Sequence, residues 1–508
     1  MDRCMGRAIR MSESTGRPAR AERLHIAAPT PAGPCKLQCR QVGDAATRTT
    51  ERAGWRGGCM SDGAGRSAKG DSMRVLPALA TLLFSSALFA APSPSKPAEP
   101  FAFADFSWVP GNYGAPEHPL SFGPFTGELR VDTVFHYSFN NPKDDTISGS
   151  SEVFRHGELQ LTQLGIGGDF LYKGVMVRVM TQFGMYSVTT PRNDASPGRG
   201  QWDLANAYRY LSEAYAGYHF EALNGINLQA GIFMSYIGLF SYYNFDNWTY
   251  QPSYVSSNTP WFFNGLRVQI FLSDKLKIEP WLINGWQSYG RFNTAPGVGG
   301  QIIWRPTGWL SVLGNQYIGT DTLNTPDRKR IHTDDSIMVK YHDDPSGFLS
   351  KAAASLTFDA GCEWGGGVDC SSQYFLGFMA YNRLWFAHDL FAVTLGGGAI
   401  TNPGRYLVLL PPINGATAIT GSPYFTANPG EPYKAWDLQL TFDLMPNRFI
   451  TFRAEFNHRQ ANVPYFTGAG GVTPPGGNTG TPAIRVEGWT PDLAKSEDRI
   501  SLAILVKL

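Results

Sequence analysis

The segment Gly265–Trp286, GLRVQIFLSDKLKIEPWLINGW, predicts a pair of β-strands. Apolar residues occupy every second position from Leu266 to Leu272 and alternate with Arg267, Gln269 and Phe271. Residues two positions apart in a strand point to the same face. The alternation therefore gives the first strand one apolar face and one largely polar face.

The same segment continues through a polar turn, Ser273-Asp274-Lys275, into a second strand. There Leu276 and Ile278 alternate with Lys277 and Glu279, again separating an apolar face from a charged one. Two folds use such hairpins. In a soluble sandwich the apolar face packs on a second sheet, whereas in an outer-membrane barrel it faces lipid and the charged face lines a wet lumen.

The composition narrows the class of protein. The 508 residues carry a net charge of +1, and 17% are charged, which is below the share that is usual in soluble domains. Aromatic residues make up 13% and glycines number 56, which suits a barrel with aromatic girdles and also suits a secreted sandwich. The balanced charge indicates no nucleic-acid partner. After the N-terminal region, no run of about 20 apolar residues predicts a membrane-spanning helix.

One apolar segment near the N-terminus, Met73–Ala91, has a basic start, an apolar centre and a small-residue end. These are the three parts of a secretory signal peptide, which we assign to residues 73–90. A buried helix is the alternative, but the Pro- and Ser-rich sequence APSPSKPAEP that follows argues against it.

The first 72 residues show no strand or helix periodicity and contain four of the six cysteines, Cys4, Cys35, Cys39 and Cys59. The Cys35-x3-Cys39 spacing lacks the histidine partners of a zinc site. Because a signal peptide begins a precursor, we expect translation to start at Met73. If residues 1–72 are translated, we expect them to be disordered.

Residues 91–126 are rich in Pro and predict a periplasmic lead-in, and residues 127–508 predict the barrel. Sixteen strand patterns occur in the barrel region, many of them close to the length of about nine to eleven residues that a tilted membrane strand needs. They cover Glu128–Phe139, Arg155–Phe170, Gly174–Val188, Ser212–Glu221, Ile226–Ile237, Phe262–Leu272, Leu276–Trp286, Val298–Trp304, Trp309–Gly319, Thr333–His342, Ala352–Trp364, Ser371–Ala387, Asp389–Thr401, Ala435–Leu444, Phe449–Arg459 and Arg499–Leu508.

The connections between these strands alternate in length. Those after even-numbered strands are short, such as Leu171-Tyr172-Lys173, whereas most after odd-numbered strands are long, such as Gly238–Trp261; Gly365–Cys370 is a brief exception. Short turns on one rim and long loops on the other are typical of outer-membrane barrels. The sequence therefore predicts an all-β fold, a transmembrane antiparallel up-and-down β-barrel of about 16 strands. Residues 402–434 and 460–498 are expected to form loops at the cell surface.

The final strand pattern runs to the last residue, with Ile500, Leu502, Ile504, Val506 and Leu508 on one face. An even number of strands places this end in the periplasm, on the same side as the N-terminus. Outer-membrane barrels end in a similar way, usually in Phe or Trp rather than Leu. On this resemblance we expect the barrel-assembly machinery to be a partner.

Two stretches resemble a known family. Asn247–Tyr254, NWTYQPSY, and Ser256–Arg267, SSNTPWFFNGLR, are similar to the Gram-negative β-barrel porins of the OmpL-like type, and the resemblance extends over roughly residues 100 to 508. It implies a location in the cell outer membrane of a Gram-negative bacterium, contact with outer-membrane lipid, and a pore. It supplies no substrate and no catalytic residues.

The alternation places charges of both signs on the inner face. No ring of a single sign is evident, so the pattern does not favour strong ion selectivity. Arg and Glu or Asp on adjacent strands are expected to pair across the wall, although a soluble sandwich would carry similar charges on its solvated face. The predicted lumen-lining residues are Glu128, Arg130, Asp132, Arg178, Glu213, Arg267, Lys277, Glu279, Lys340, Asp359, Glu363, Arg383, Asp437, Asp443, Arg453, Glu455 and Arg459.

Aromatic residues cluster in and after the third long loop, and Trp248, Tyr250, Tyr254 and Trp261 are the loop candidates. We favour the interpretation that they form an aromatic girdle and pack the loop. The alternative is that the loop folds into the barrel and narrows it, with rings that suit stacking on sugars.

Catalysis finds little support in the sequence. No Gly-x-Ser-x-Gly elbow and no His-Glu-x-x-His motif occur, and the histidines are scattered over many strands. Asp334-Asp335 and Asp343-Asp344 lack the spacing of a calcium loop and are interpreted as solvated loop charges. We therefore predict that the protein is not an enzyme and needs no cofactor or metal.

Cys362 and Cys370 are the only cysteines after the signal peptide. One ends a strand pattern and the other begins the next, so a hairpin brings them opposite each other, and the glycines between them permit a tight loop. Because the periplasm is oxidising, we predict a disulfide. Two buried thiols or a metal pair are the alternatives.

The function predicted from these features is a porin-like channel for the passive diffusion of small polar solutes. Barrels of about 16 strands are wide enough for water, and no plug domain is evident before Gly127. One alternative is a non-conducting barrel that binds ligands through its long loops, and a second is an outer-membrane hydrolase. The sequence leaves the choice between monomer and homo-oligomer open.

Overall fold

The computed structural model describes residues 100–111, 117–148, 152–191, 194, 196, 199–291, 293, 295–403, 433–476 and 488–508. The predicted signal peptide, the residues before it and most of the predicted surface loop 402–434 lie outside these residues. None of the described helices is long and apolar enough to cross a membrane.

Sixteen long antiparallel strands form one closed sheet. Each strand pairs with its neighbours in sequence, and the last pairs with the first, for example through Ile504 opposite Thr133. The predicted barrel and its strand number are confirmed. The strands are β1 Phe125–Ser138, β2 Leu159–Tyr172, β3 Val175–Thr181, β4 Leu211–Phe220, β5 Ile226–Met234, β6 Phe262–Ser273, β7 Leu276–Ile283, β8 Gly297–Thr307, β9 Leu310–Gly319, β10 Lys329–Asp343, β11 Leu349–Trp364, β12 Tyr374–Phe386, β13 Phe391–Thr401, β14 Lys434–Asn447, β15 Ile450–Ala461 and β16 Ser496–Lys507.

Several predicted boundaries differ by a few residues, and the largest differences have local causes. The third strand was predicted to reach Val188 but ends at Thr181. Gly184 adopts φ +103°, which ends the extended chain, and a short helix α1, Tyr186–Thr189, follows. Leu211–Phe220 is preceded by a second short helix, α2 Leu204–Tyr208, so the outer ends of β3 and β4 are joined by folded loop structure.

The two faces of the wall alternate as predicted. On β14, Leu438, Leu440 and Phe442 are 45%, 49% and 45% exposed on the outside, whereas Gln439 and Thr441 between them are fully buried inside. The outer face is therefore an apolar belt that matches lipid, and the polar residues point into the barrel. The turns that follow even-numbered strands are short and the loops that follow odd-numbered strands are longer, as predicted.

A segment that precedes the barrel occupies the periplasmic end of the lumen. We call residues 101–109 the N-terminal segment. Trp108 Nε1 donates to the Gly308 carbonyl at 3.2 Å, and the Phe101 amide donates to the Asp274 carbonyl at 2.8 Å, so the segment lies at two of the short turns. Phe106 and Trp108 are 4% and 1% exposed. Residues 101–109 of the predicted lead-in are therefore folded against the inside of the barrel, because burial of their aromatic side chains favours that position.

The structure joins Cys362 and Cys370 by a disulfide with Cα atoms 5.1 Å apart. Gly365, Gly366 and Gly367 have φ values of +81°, +56° and +89°, the conformations that glycine makes accessible in so tight a loop. The bridge therefore lies at the outer ends of β11 and β12.

We expect the exported protein to contain this bridge, and closing so short a loop stabilises the fold by at most about 3 kcal/mol on the chain-entropy model. Mass spectrometry of a non-reduced digest should show one linked peptide pair containing Cys362 and Cys370. Alkylation of both thiols without prior reduction would rule the bridge out.

Candidate functional site: the barrel lumen

The third long loop crosses the lumen. We call residues 235–261, which join β5 to β6, loop L3. It contains a 3-10 turn, Asn244–Asp246, and a short helix α3, Tyr254–Ser257, whose N-cap Ser253 accepts a hydrogen bond from the Val255 amide. The loop leaves the wall at β5 and is hydrogen-bonded to β12, β14 and β15, and it also contacts β1, β4 and β16.

Inward carboxylates bind the backbone of L3. Glu455 accepts hydrogen bonds from the amides of Tyr250 at 2.6 Å and Gln251 at 3.0 Å. Asp437 accepts from the Tyr254 amide at 2.7 Å. A buried carboxylate needs donors to replace its lost hydration, and the loop amides supply them.

Inward arginines bind the carbonyls of the same loop. Arg453 donates to the carbonyls of Asn247 at 2.7 Å and Thr249 at 2.8 Å, and its guanidinium group also forms an ion pair with Asp443. Arg383 donates to the Trp248 carbonyl at 3.1 Å and pairs with the same aspartate at 2.8 Å. Arg459 donates to the Pro252 carbonyl at 2.7 Å and lies 4.5 Å from the ring centre of Tyr254. The planar guanidinium groups thus fix the loop at several points.

The loop aromatics are interior residues. Trp248, Tyr250, Tyr254 and Trp261 are between 0% and 7% exposed. Tyr250 donates to Asp132 at 3.1 Å, and Trp248 donates to the Trp108 carbonyl at 3.1 Å. The girdle interpretation is wrong for these four residues, because L3 itself folds into the barrel and carries them away from the lipid boundary.

A cavity of about 490 Å³ remains between L3 and the opposite wall. Its lining reaches from Glu128 and Lys507, near the periplasmic ends of β1 and β16, to Glu152 and Trp261 in the outer loops. Four basic side chains line it, Arg130, Arg178, Arg305 and Lys507, and four acidic ones, Glu128, Glu152, Glu213 and Asp246. The signs of the charges are mixed, as the sequence predicts.

Six of these eight charges form one network, in which Glu128 pairs with both Arg130 and Arg178. Arg178 pairs with Glu213 at 2.8 Å and with Glu128 at 3.0 Å. On the loop side, Asp246 pairs with Arg130 at 3.0 Å and with Lys507 at 3.4 Å. The two Asp246 pairs join a residue of L3 to two strands, so part of the cavity boundary depends on the position of the loop.

Tyr243 of L3 contacts two members of this network, Glu213 and Arg130. Its hydroxyl donates to Glu213 at 2.7 Å, and the Arg130 guanidinium lies 3.9 Å from its ring centre. Burial raises the pKa of Tyr243 well above its ordinary value, and the neighbouring Glu213 charge adds to this effect. Tyr243 therefore remains a neutral hydrogen-bond donor at the edge of the cavity.

Comparison with known proteins identifies the family. The family model described as "Putative beta-barrel porin-2, OmpL-like" matches residues 124–481. The chain belongs to this OmpL-like porin family. It is an outer-membrane channel protein of a Gram-negative bacterium, as the resemblance in the loop sequence implies.

Similar solved structures are also outer-membrane proteins. An anion-selective porin from Comamonas acidovorans is 11% identical with a TM-score of 0.43, and the match covers 76% of this chain and 99% of that chain. OprB of Pseudomonas putida is 10% identical with a TM-score of 0.44, over 76% and 94% of the two chains. The channel DcaP of Acinetobacter baumannii is 13% identical with a TM-score of 0.40, over 76% and 96%. No curated protein sequence matches the chain.

In this OmpL-like porin the predicted lumen residues serve different purposes. Of these, Glu128, Arg130, Arg178 and Glu213 line the cavity. A second set contacts L3: Asp132, Arg383, Asp437, Arg453, Glu455 and Arg459. A third set packs along the wall: Lys277 with Glu279 at 2.6 Å, Arg267 over the rings of Phe233 and Trp281, and Lys340 beside Trp108 near the periplasmic end.

Four charged residues of the cavity were missed. Arg305 and Lys507 lie on strands β8 and β16, and the alternation of those strands places both inside. Glu152 and Asp246 lie in loops. No periodic signal exists for a loop residue, so their positions depend on the tertiary structure.

Proposed function

We propose that small polar solutes diffuse passively through the cavity between L3 and the barrel wall, where β1, β3, β4, β8, β9, β10 and β16 contribute to the lining. The observation that carries the proposal is the extent of the cavity, whose lining includes residues from the periplasmic strand ends and from the outer loops. A polar lining lowers the cost of moving a hydrated solute past the hydrocarbon layer, and no chemical step is required.

The balance of charge suggests which solutes suit the path. Four basic and four acidic side chains line the cavity, so neither cations nor anions meet a net opposite charge. We infer that neutral or zwitterionic solutes pass and that ion selectivity is weak. The barrel-assembly machinery and outer-membrane lipid are proposed as the partners of this channel.

Among the residues that the structure describes, one pair resembles a hydrolase nucleophile and its base, and its position does not favour the hydrolase alternative. Ser501 Oγ lies 2.8 Å from His136 Nδ1, which is within reach for a nucleophile and a base. Both residues are buried, at 2% and 0% exposure, and the Tyr250 ring of L3 packs on His136 at 5.4 Å. A substrate has no access to the pair, so we propose that it is structural.

Planar-bilayer recording of the purified full-length protein tests the channel. We expect stepwise conductance increments, with a reversal potential near zero in a salt gradient. Repeated insertion of folded protein without conductance steps would contradict the proposal and favour a ligand-binding barrel.

Two substitutions test whether the path is this cavity. Lys507→Gln removes a positive charge and is expected to shift the channel toward cation selectivity, whereas Asp246→Asn removes a negative charge and is expected to shift it toward anions. The reversal potentials should therefore move in opposite directions from the wild-type value. If conducting variants keep the wild-type value, ions do not pass these residues.

A further inference from the structure

One carboxylate points outward in the middle of the apolar belt. Asp335 lies on β10, with Ile331 and Ile337 on the same outer face at 44% and 43% exposure. On the next strand Leu356 and Phe358 are 50% and 51% exposed. The interpretation of Asp334-Asp335 as solvated loop charges is wrong, because both lie within β10, where Asp334 points inward and Asp335 outward.

Asp335 belongs to a small group of polar residues on two strands. Thr333 Oγ1 donates to Asp335 at 2.7 Å, and Gln316 Nε2 of β9 donates to Thr333 at 2.5 Å. The carboxylate lies over Gly314, where an added Cβ would be 3.3 Å from Oδ1. We call Gly314, Gln316, Thr333 and Asp335 the polar patch.

Lipid is a poor environment for this patch. Hydrocarbon offers no hydrogen-bond donor, and one hydroxyl does not replace the hydration shell of a carboxylate. Among the barrel strands that the structure describes, other outward ionisable residues such as Asp498 and His458 lie close to the outer strand ends and pair with each other at 2.7 Å. Asp335 lies instead near the middle of β10, as the seventh of its 15 residues.

A depression adjoins the patch. It has a volume of about 500 Å³ and is lined in part by Gln316, Thr333, Ala360, Gly361 and Leu376. The small residues Ala360 and Gly361 of β11 leave room between the larger side chains of the neighbouring strands. An apolar side chain of another protein packs more closely in such a depression than a lipid tail does.

We propose that the outer face of β9, β10 and β11 is the interface with a second copy of this chain. Two copies insert in the same orientation, so an axis along the membrane normal brings residues of equal depth together. The patch then complements itself, because the Gln316 amide of one copy can donate its second hydrogen to Asp335 of the other. The interface is independent of the proposed solute path inside the barrel.

The experiment compares two matched substitutions in the full-length protein. Gln316→Trp places a bulky ring on the patch, and Leu440→Trp places the same ring on the outer face of β14, where Leu440 is 49% exposed. We expect native mass spectrometry to show an oligomer for the wild type and for L440W, and monomers for Q316W with the wild-type conductance per barrel. A monomeric wild type, or equal assembly of the two variants, would overturn the proposal.

Cross-linking in intact outer membranes gives a result that does not depend on the bulky variants folding. Gln316→Cys should link to a second copy under oxidising conditions, and Leu440→Cys should not. Linkage of the Gln316→Cys protein to a different protein, or no linkage at all, would contradict the assignment of a second copy.

Discussion

Excision of the part of L3 that crosses the lumen is expected to raise the single-channel conductance several-fold. The loop fills the space between opposite walls, and its removal widens the lumen between the cell surface and the N-terminal segment. The ends of the excised part lie together, since a Cβ on Gly238 would be 2.9 Å from Thr259 Oγ1. A short Gly-Ser linker can therefore replace residues 239–258, and the wall charges that held the loop become hydrated.

A point substitution gives the same test with less disturbance. Arg453→Lys keeps the charge but loses the planar guanidinium group, which binds the Asn247 and Thr249 carbonyls together with Asp443. We therefore expect larger current fluctuations and a higher single-channel conductance. Arg267→Lys is the matched control, because Arg267 also points inward but packs on the rings of Phe233 and Trp281. Equal conductance for the excised protein and the wild type would show that L3 does not limit the path.

Substitution of Trp108 by Ala is expected to open the periplasmic end of the lumen. Trp108 is 1% exposed, donates to the Gly308 carbonyl and accepts from Trp248 through its own carbonyl. Removal of a buried Trp side chain commonly costs about 3–5 kcal/mol, which is enough to release a short segment that is otherwise held by a few hydrogen bonds and by local packing. We expect higher conductance and faster proteolysis within residues 101–109.

Phe103→Ala is the control for this prediction, because Phe103 lies in the same segment but is 40% exposed. It should retain the wild-type conductance and protease resistance. If Trp108→Ala behaves in the same way as Phe103→Ala, the N-terminal segment does not restrict the channel.

The contacts between the inner wall and L3 could not be predicted from the sequence. Strand alternation correctly places Arg453 and Glu455 on the inner face, but it gives no indication that they bind loop backbone. Arg453 and Asn247 are 206 residues apart in the chain. Their contact depends on closure of the barrel, which no local pattern encodes. The same holds for Trp108, whose Pro-rich surroundings predict a lead-in and whose burial depends on the fit to the turns and to L3.

The sequence by itself determined the class of fold, the number of strands and the alternation of short turns with long loops. These features are local, because alternation with a period of two follows from a wall between lipid and an aqueous lumen, and loop length follows the order of the strands. Only the tertiary structure decided which inward charges line the cavity, which ones hold L3, and that Asp335 faces outward among apolar neighbours. Those features arise when distant strands and loops meet, and their energies depend on burial and partners that the linear sequence does not contain.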